Sequence, residues 1–169
     1  MSHIDDELTG LHNRRSFITL LRRHVGFANE RGTNLALIVV DIDGFARLNA
    51  AHGYEFGDQA LRHVARVVRD TIRGRDFPAR IGGEEFAIWL PGADPRIGRE
   101  VAERLRANVE KDPFKFDGME RQITISLGVA SYPKPIKAVE NLMRVADAAL
   151  YRAKTGGRNR VETSETEAA

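Results

Sequence analysis

Phe77-Pro78-Ala79-Arg80-Ile81-Gly82-Gly83-Glu84-Glu85-Phe86-Ala87-Ile88-Trp89-Leu90 holds two short apolar runs, broken by two glycines and two carboxylates. Runs of this length around a glycine pair predict two strands, Phe77 to Ile81 and Phe86 to Leu90, joined as a hairpin. A hairpin is antiparallel, which argues against a doubly wound, all-parallel sheet. Glycines at 82 and 83 are expected to tolerate positive φ and to let a ligand approach the backbone. Two carboxylates on a turn tied to a core strand suit a hard divalent cation, and such cations usually accompany phosphates. An ordinary charged turn is the plain alternative.

Outward from the hairpin, Leu35-Ala36-Leu37-Ile38-Val39-Val40 reads as a central strand covered on both faces, ending in Asp41-Ile42-Asp43-Gly44. Helices are predicted over His12 to Arg31, Phe45 to Ala50 and Phe56 to Ile72 from their 3.6-residue periodicity. Asp94-Pro95 is an N-cap followed by proline at the first helical position, with Ile97, Val101, Leu105 and Val109 continuing inward. Asp117-Gly118 predicts a second hairpin, between Phe114-Lys115-Phe116 and Arg121 to Val129. A last helix, Ala138 to Lys154, has Val139, Leu142, Met143, Ala146 and Leu150 inward; Gly156-Gly157 stops it, and a short strand follows at Asn159 to Val161. Helices mixed with antiparallel hairpins predict an α+β fold.

The chain has 169 residues, 42% apolar and 30% charged, which suits one soluble domain with a sizeable core. With no cysteine, disulfides and thiolate metal sites are excluded. Lys and Arg number 26 against 24 Asp and Glu, too small an excess to argue for a DNA or RNA surface. No apolar run reaches the ~20 residues of a membrane span, so no membrane contact is expected. The start lacks the apolar stretch of a signal peptide. There is no P-loop or dinucleotide fingerprint, the five histidines show no metal-ligand spacing, and Ser126 reads as structural.

Three constellations remain. If the Asp41 strand lies beside the hairpin, Asp41, Glu84 and Glu85 converge, and close carboxylates call for a cation; otherwise Asp41 and Asp43 merely open a solvated turn. Lys154-Thr155-Gly156-Gly157-Arg158-Asn159-Arg160 is either cationic capping of a helix end or a phosphate clamp. Arg73-Gly74-Arg75-Asp76 precedes the hairpin; the same spacing at Arg144 and Asp147 reads as an ordinary pair on a helix face.

Together these segments resemble the GGDEF family of diguanylate cyclase domains in its GGEEF form. Asp6-Glu7-Leu8-Thr9-Gly10-Leu11-His12-Asn13-Arg14-Arg15 is similar to the family's opening. Val40 to Phe45, Ala79 to Phe86, Ile123 to Val129 and Ala146 to Lys154 match in order. The resemblance covers 6–161; residues 1–5 are expected to be a remnant of a longer protein or a tag, and 162–169 a frayed tail. It implies a central, mainly antiparallel sheet wrapped by helices, with the ferredoxin-like core of nucleotidyl cyclases and polymerase palms.

The activity implied is Mg²⁺- or Mn²⁺-dependent condensation of two GTP into cyclic di-GMP, with pyrophosphate released, across an at least transient homodimer. By the same resemblance Asp41, the Ile42 carbonyl, Glu84 and Glu85 hold the metal, and Glu84 helps deprotonate the attacking 3′-hydroxyl. Asn49 and Asp58 read guanine. Gly44, Phe45, Gly82 and Gly83 receive phosphates, and Lys154 and Arg158 clamp the far ones. Arg73, Asp76 and Arg104 match the family's product-inhibition site. Ala46, Ala50 and Tyr54 stand where the family usually has Lys, Asp and His, so a weakly active domain that binds GTP or cyclic di-GMP as a signalling module stays open, as does a plain dimerisation module. A cytoplasmic location is implied, with a membrane-anchored parent protein left open.

Overall fold

The computed structural model describes residues 4–133 and 138–164. The elements are β1 (His12–Asn13), α1 (Arg14–Arg31), β2 (Leu35–Ile42), α2 (Phe45–His52), α3 (Tyr54–Thr71), β3 (Phe77–Arg80) and β4 (Glu85–Pro91). They continue with α4 (Pro95–Lys111), β5 (Phe114–Phe116), β6 (Met119–Arg121), β7 (Ile125–Tyr132), α5 (Val139–Thr155) and β8 (Val161–Thr163). The main sheet runs β1-β3-β4-β2-β7-β8. Its central pairings, β3–β4, β4–β2 and β2–β7, are antiparallel, and its edge pairings, β1–β3 and β7–β8, are parallel. This is the α+β architecture expected, and the 77–90 hairpin lies inside it.

β2 is buried along its whole length because both faces are covered. Ala36, Ile38, Val40 and Ile42 pack with Phe56, Leu61, Val64 and Val68 of α3 and Leu105 of α4. Leu35, Leu37 and Val39 pack with Phe17, Leu21 and Val25 of α1 and Leu142, Ala146 and Leu150 of α5. Burial of each such side chain is worth about 1.5–3 kcal/mol, which fixes β2 and therefore its polar end. Asp94 caps α4 as expected, its carboxylate accepting the Ile97 N–H at 2.9 Å.

Three expectations are corrected. The first helix begins at Arg14, because His12 and Asn13 form a parallel bridge to Ala79 and Arg80. The partner of Phe114–Phe116 is Met119–Arg121, a small separate sheet; Ile125–Tyr132 instead pairs with β2. The last strand falls at Val161–Thr163, and Thr163 and Ser164 are buried. At the other end the Asn13 N–H donates to the Ile4 carbonyl at 2.9 Å and Asp5 bridges to His12. The rest of both predicted ends, 1–3 and 165–169, lies outside the described residues, as does the Val139 side chain. Among the described residues no helix is long and apolar enough to cross a membrane.

His63 on α3 is buried against Phe114, with Arg66 and Asp112 as its charged neighbours. Burial pushes its pKa down, and Asp112 offsets this only in part. Above about pH 6.5 both folded and unfolded chains hold the imidazole neutral. Below that, the unfolded chain takes up a proton that the folded one resists, so stability falls as pH drops. The expected slope from this group is at most about 1.4 kcal/mol per pH unit. Denaturant midpoints at pH 7.5 and 5.5 check this: His63→Leu should flatten the difference, leaving the part due to His24, which burial and then Arg23 also depress.

Candidate active site

The carboxyl end of β2 meets the turn between β3 and β4. Asp41 stands directly opposite Glu85 across the β2–β4 ladder and opposite Ser126 on β7. The Ile42 N–H donates to the Glu84 carbonyl at 3.3 Å, tying the turn to the strand end. Arg80 braces the turn from outside: its guanidinium donates to the Gly83 carbonyl at 2.9 Å and to Asp6 at 3.2 Å. Asp6 is fixed in turn. Burial alone would raise its pKa, but the Thr9 hydroxyl and N–H, with Arg80, hold it below the usual carboxylate range. The opening segment thus acts as a strut for the carboxylate turn, a role with no local sequence signal.

Neither Gly82 nor Gly83 takes a positive φ. At Gly82 space is tight: a Cβ would lie 3.3 Å from the Cβ of Glu85. The left-handed conformation occurs instead at Gly44, φ 64°, which turns the chain from β2 into α2 and leaves that helix's N-terminus facing the cleft.

Asp41 is 4% exposed. Burial raises its pKa, with Glu84 and Asp43 adding to the rise, against the lowering effect of Lys154. The Lys154 ammonium donates to Asp41 Oδ2 at 2.5 Å. Asp43 has a different part. Its carboxylate accepts from Ser126 Oγ at 2.6 Å, Thr124 Oγ1 at 2.7 Å and the Asn159 N–H at 2.9 Å. It is a fastener joining β2, β7 and the loop after α5, and it accounts for a serine in mid-strand.

A cleft of about 300 Å³ opens here, lined by Asp41, Ile42, Asp43, Gly44, Phe45, Ala46, Arg47, Glu84, Lys154 and Arg158. It gathers most of the residues expected of the metal and phosphate sites. Arg47, which sequence reasoning passed over, adds a third cation where Ala46 supplies none. Glu85 reaches the site through its pairing with Asp41. Gly82 and Gly83 lie on the turn beside the cleft but do not line it. Arg160 is withdrawn from the expected clamp: its guanidinium folds over Gly156 and Gly157.

Asn49 and Asp58 lie beyond the cleft on α2 and α3; Asn49 abuts Gly57, the residue before Asp58. Arg73 and Asp76 line a separate, smaller cleft with Arg75, Leu90, Pro91, Ile97 and Val101. There the Asp76 carboxylate accepts the Arg73 N–H at 2.9 Å. Arg104, exposed on α4 three residues past Val101, is not part of that lining. The expected Arg144–Asp147 pair is not formed: Arg144 bonds Asn141 at 3.2 Å, and Asp147 interacts electrostatically with Glu85, Arg14 and Lys154.

Among the described residues no three carboxylates or imidazoles stand as a ready-made cation cage. The donor set still fits a divalent cation. It offers hard carboxylate oxygens and a strand-end carbonyl, and a buried carboxylate that already holds a cationic ammonium.

The model of the family described as "Diguanylate cyclase, GGDEF domain" matches residues 3–160. The chain belongs to that family. Among its curated relatives, this GGDEF domain is 36% identical to diguanylate cyclase A of Treponema denticola over 95% of the chain and 44% of that protein. It is 41% identical to diguanylate cyclase DgcP of Pseudomonas aeruginosa over 95% of the chain and 24% of that protein. The chain thus spans less than half the length of these relatives. Among solved structures, the GGDEF domain of DgcB from Caulobacter crescentus in complex with c-di-GMP superposes with a TM-score of 0.91 at 38% identity, covering 98% of each chain.

Proposed function

We propose that this GGDEF domain is a diguanylate cyclase, joining two GTP into cyclic di-GMP. The observation that carries the reading is the Asp41–Glu85 pairing beside Glu84, at a cleft whose other wall is cationic. Asp41, the Ile42 carbonyl, Glu84 and Glu85 would hold Mg²⁺ or Mn²⁺, which would supply neutralisation of phosphate charge. The α2 N-terminus, with Gly44 and Phe45, accepts phosphate oxygens, as does the turn at Gly82 and Gly83. Lys154, Arg158 and Arg47 line the cleft and would hold the outer phosphates.

Glu84 takes the proton of the attacking 3′-hydroxyl. The 3′-oxygen bonds to the α-phosphorus of the other GTP as the bond to pyrophosphate breaks, and a second such step closes the ring. Each domain holds one GTP, so two domains must face each other, at least transiently. Asn49 and Asp58 select guanine through its N–H edge, because adenine would leave an acceptor unpaired.

Titration with GTP and with ATP, each with and without Mg²⁺, tests the binding half of this reading. Expected is metal-dependent affinity for GTP well above that for ATP; equal affinities would contradict it. A second reading, a binding module with little turnover, is favoured by Ala46, Ala50 and Tyr54, whose exposed ring reaches solvent at the start of α3.

Arg73 and Asp76 are read as a product-binding edge, with Arg104 on the neighbouring helix α4 as its second arginine. Loss of a charged hydrogen-bond donor costs about 1.5–3 kcal/mol. Arg73→Ala is therefore expected to raise the cyclic di-GMP concentration for half-inhibition about tenfold or more. An unchanged inhibition curve would retire the feedback role.

A further inference from the structure

We propose that Gly57 is a positioning residue for the nucleotide base, acting through Asn49; this rests on the guanine-binding reading above. Gly57 is buried in the first turns of α3 and has no positive φ. Its backbone would accept alanine, a better helix former. Space is what forbids it: a Cβ at 57 would lie 2.1 Å from Asn49 Oδ1, 2.9 Å from its Cγ and 3.0 Å from its Nδ2. The glycine is a slot that seats the Asn49 amide.

No hydrogen bond holds the amide oxygen, which is buried without a partner among the described residues. Shape alone sets the orientation of this side chain. The surrounding corner has little freedom to yield. Phe56, fully buried beside Gly57, packs tilted against His52 at the end of α2 at 4.7 Å and on Phe114 and Phe116 at 5.4 and 5.2 Å. A methyl at 57 must therefore turn Asn49 rather than lift the helix. Because Asp58 follows on the same turn, the slot also sets the distance between the two groups offered to the base.

The test is a two-residue cycle read by GTP affinity and by KM against kcat. Gly57→Ala is expected to raise the Kd and KM for GTP about tenfold or more, with a smaller change in kcat, and to narrow the preference for GTP over ATP. Added to Asn49→Ala, the same change is expected to cost nothing further, because the clashing amide is gone. Wild-type affinity in Gly57→Ala, or an equal extra loss in the Asn49→Ala background, would overturn the proposal. If Gly57→Ala fails to fold, the double variant should fold again; a double variant that stays unfolded would also overturn it. A wild-type protein that does not bind GTP would overturn the guanine-binding reading as well, whereas normal wild-type binding with an indifferent Gly57→Ala removes the slot alone.

Discussion

Gly128→Ala is expected to produce the largest loss of stability of any single methyl added to this chain. Gly128 lies in the middle of β7, opposite Val39 on β2. A Cβ there would come within 2.2 Å of the Ala146 carbonyl oxygen and 2.3 Å of the Leu150 nitrogen. Both are backbone atoms of α5, so no side-chain rotation relieves the clash; the helix must move off the sheet. Overpacking of this kind costs typically 1–3 kcal/mol and more where backbone must shift. For a chain of this size, about 3 kcal/mol lowers Tm by roughly 10 °C. The consequence reaches the site, because α5 carries Lys154 to Asp41. Thermal unfolding with circular dichroism checks the first part, and GTP affinity below the new midpoint checks the second. An unchanged midpoint would mean that α5 does not sit where it is described.

Glu85→Gln is expected to leave the fold intact and to lower turnover about 100-fold or more, the scale seen when one group that stabilises transition-state charge is removed. The substitution keeps shape and strand pairing and deletes only the charge that faces Asp41 across the ladder. Glu85 also interacts with the Asp147 carboxylate, a like charge. Neutralising it should therefore hold or slightly raise Tm, the usual sign of a site that gives up stability for function. Rates and melting curves of the two proteins side by side are the check. Wild-type turnover in Glu85→Gln would remove the carboxylate from the chemistry.

What was legible in the sequence follows a physical division. Elements set by local rules were readable: the all-apolar β2, the amphipathic α3, the Asp94 cap and the glycine turn with its strands. So was the convergence of Asp41 with Glu85, once the hairpin was placed beside β2. Features set by partners distant in sequence were not. β1 has two residues, and its pairing with Ala79 and Arg80 has no periodicity to announce it. Residues 122–124 separate two strands that alternation alone ran together.

Asp43 had no role in the sequence beyond a possible solvated turn, yet its bonds to Thr124, Ser126 and Asn159 make it a fastener. The positive φ expected at Gly82 is not taken, and Gly57 gave no signal, because the atom that excludes a side chain belongs to another helix. A spaced Asp or Ser could have hinted at the Asp43 network only with both strands already in register.

The central claim is that these carboxylates and cations hold GTP for condensation rather than only for binding. The direct measurement is product formation from GTP and Mg²⁺ over a series of protein concentrations, with cyclic di-GMP and pyrophosphate quantified together. Two pyrophosphates per cyclic di-GMP are expected, with a rate that climbs faster than linearly with protein until the domains pair. GTP bound tightly but recovered unchanged at every concentration would contradict it.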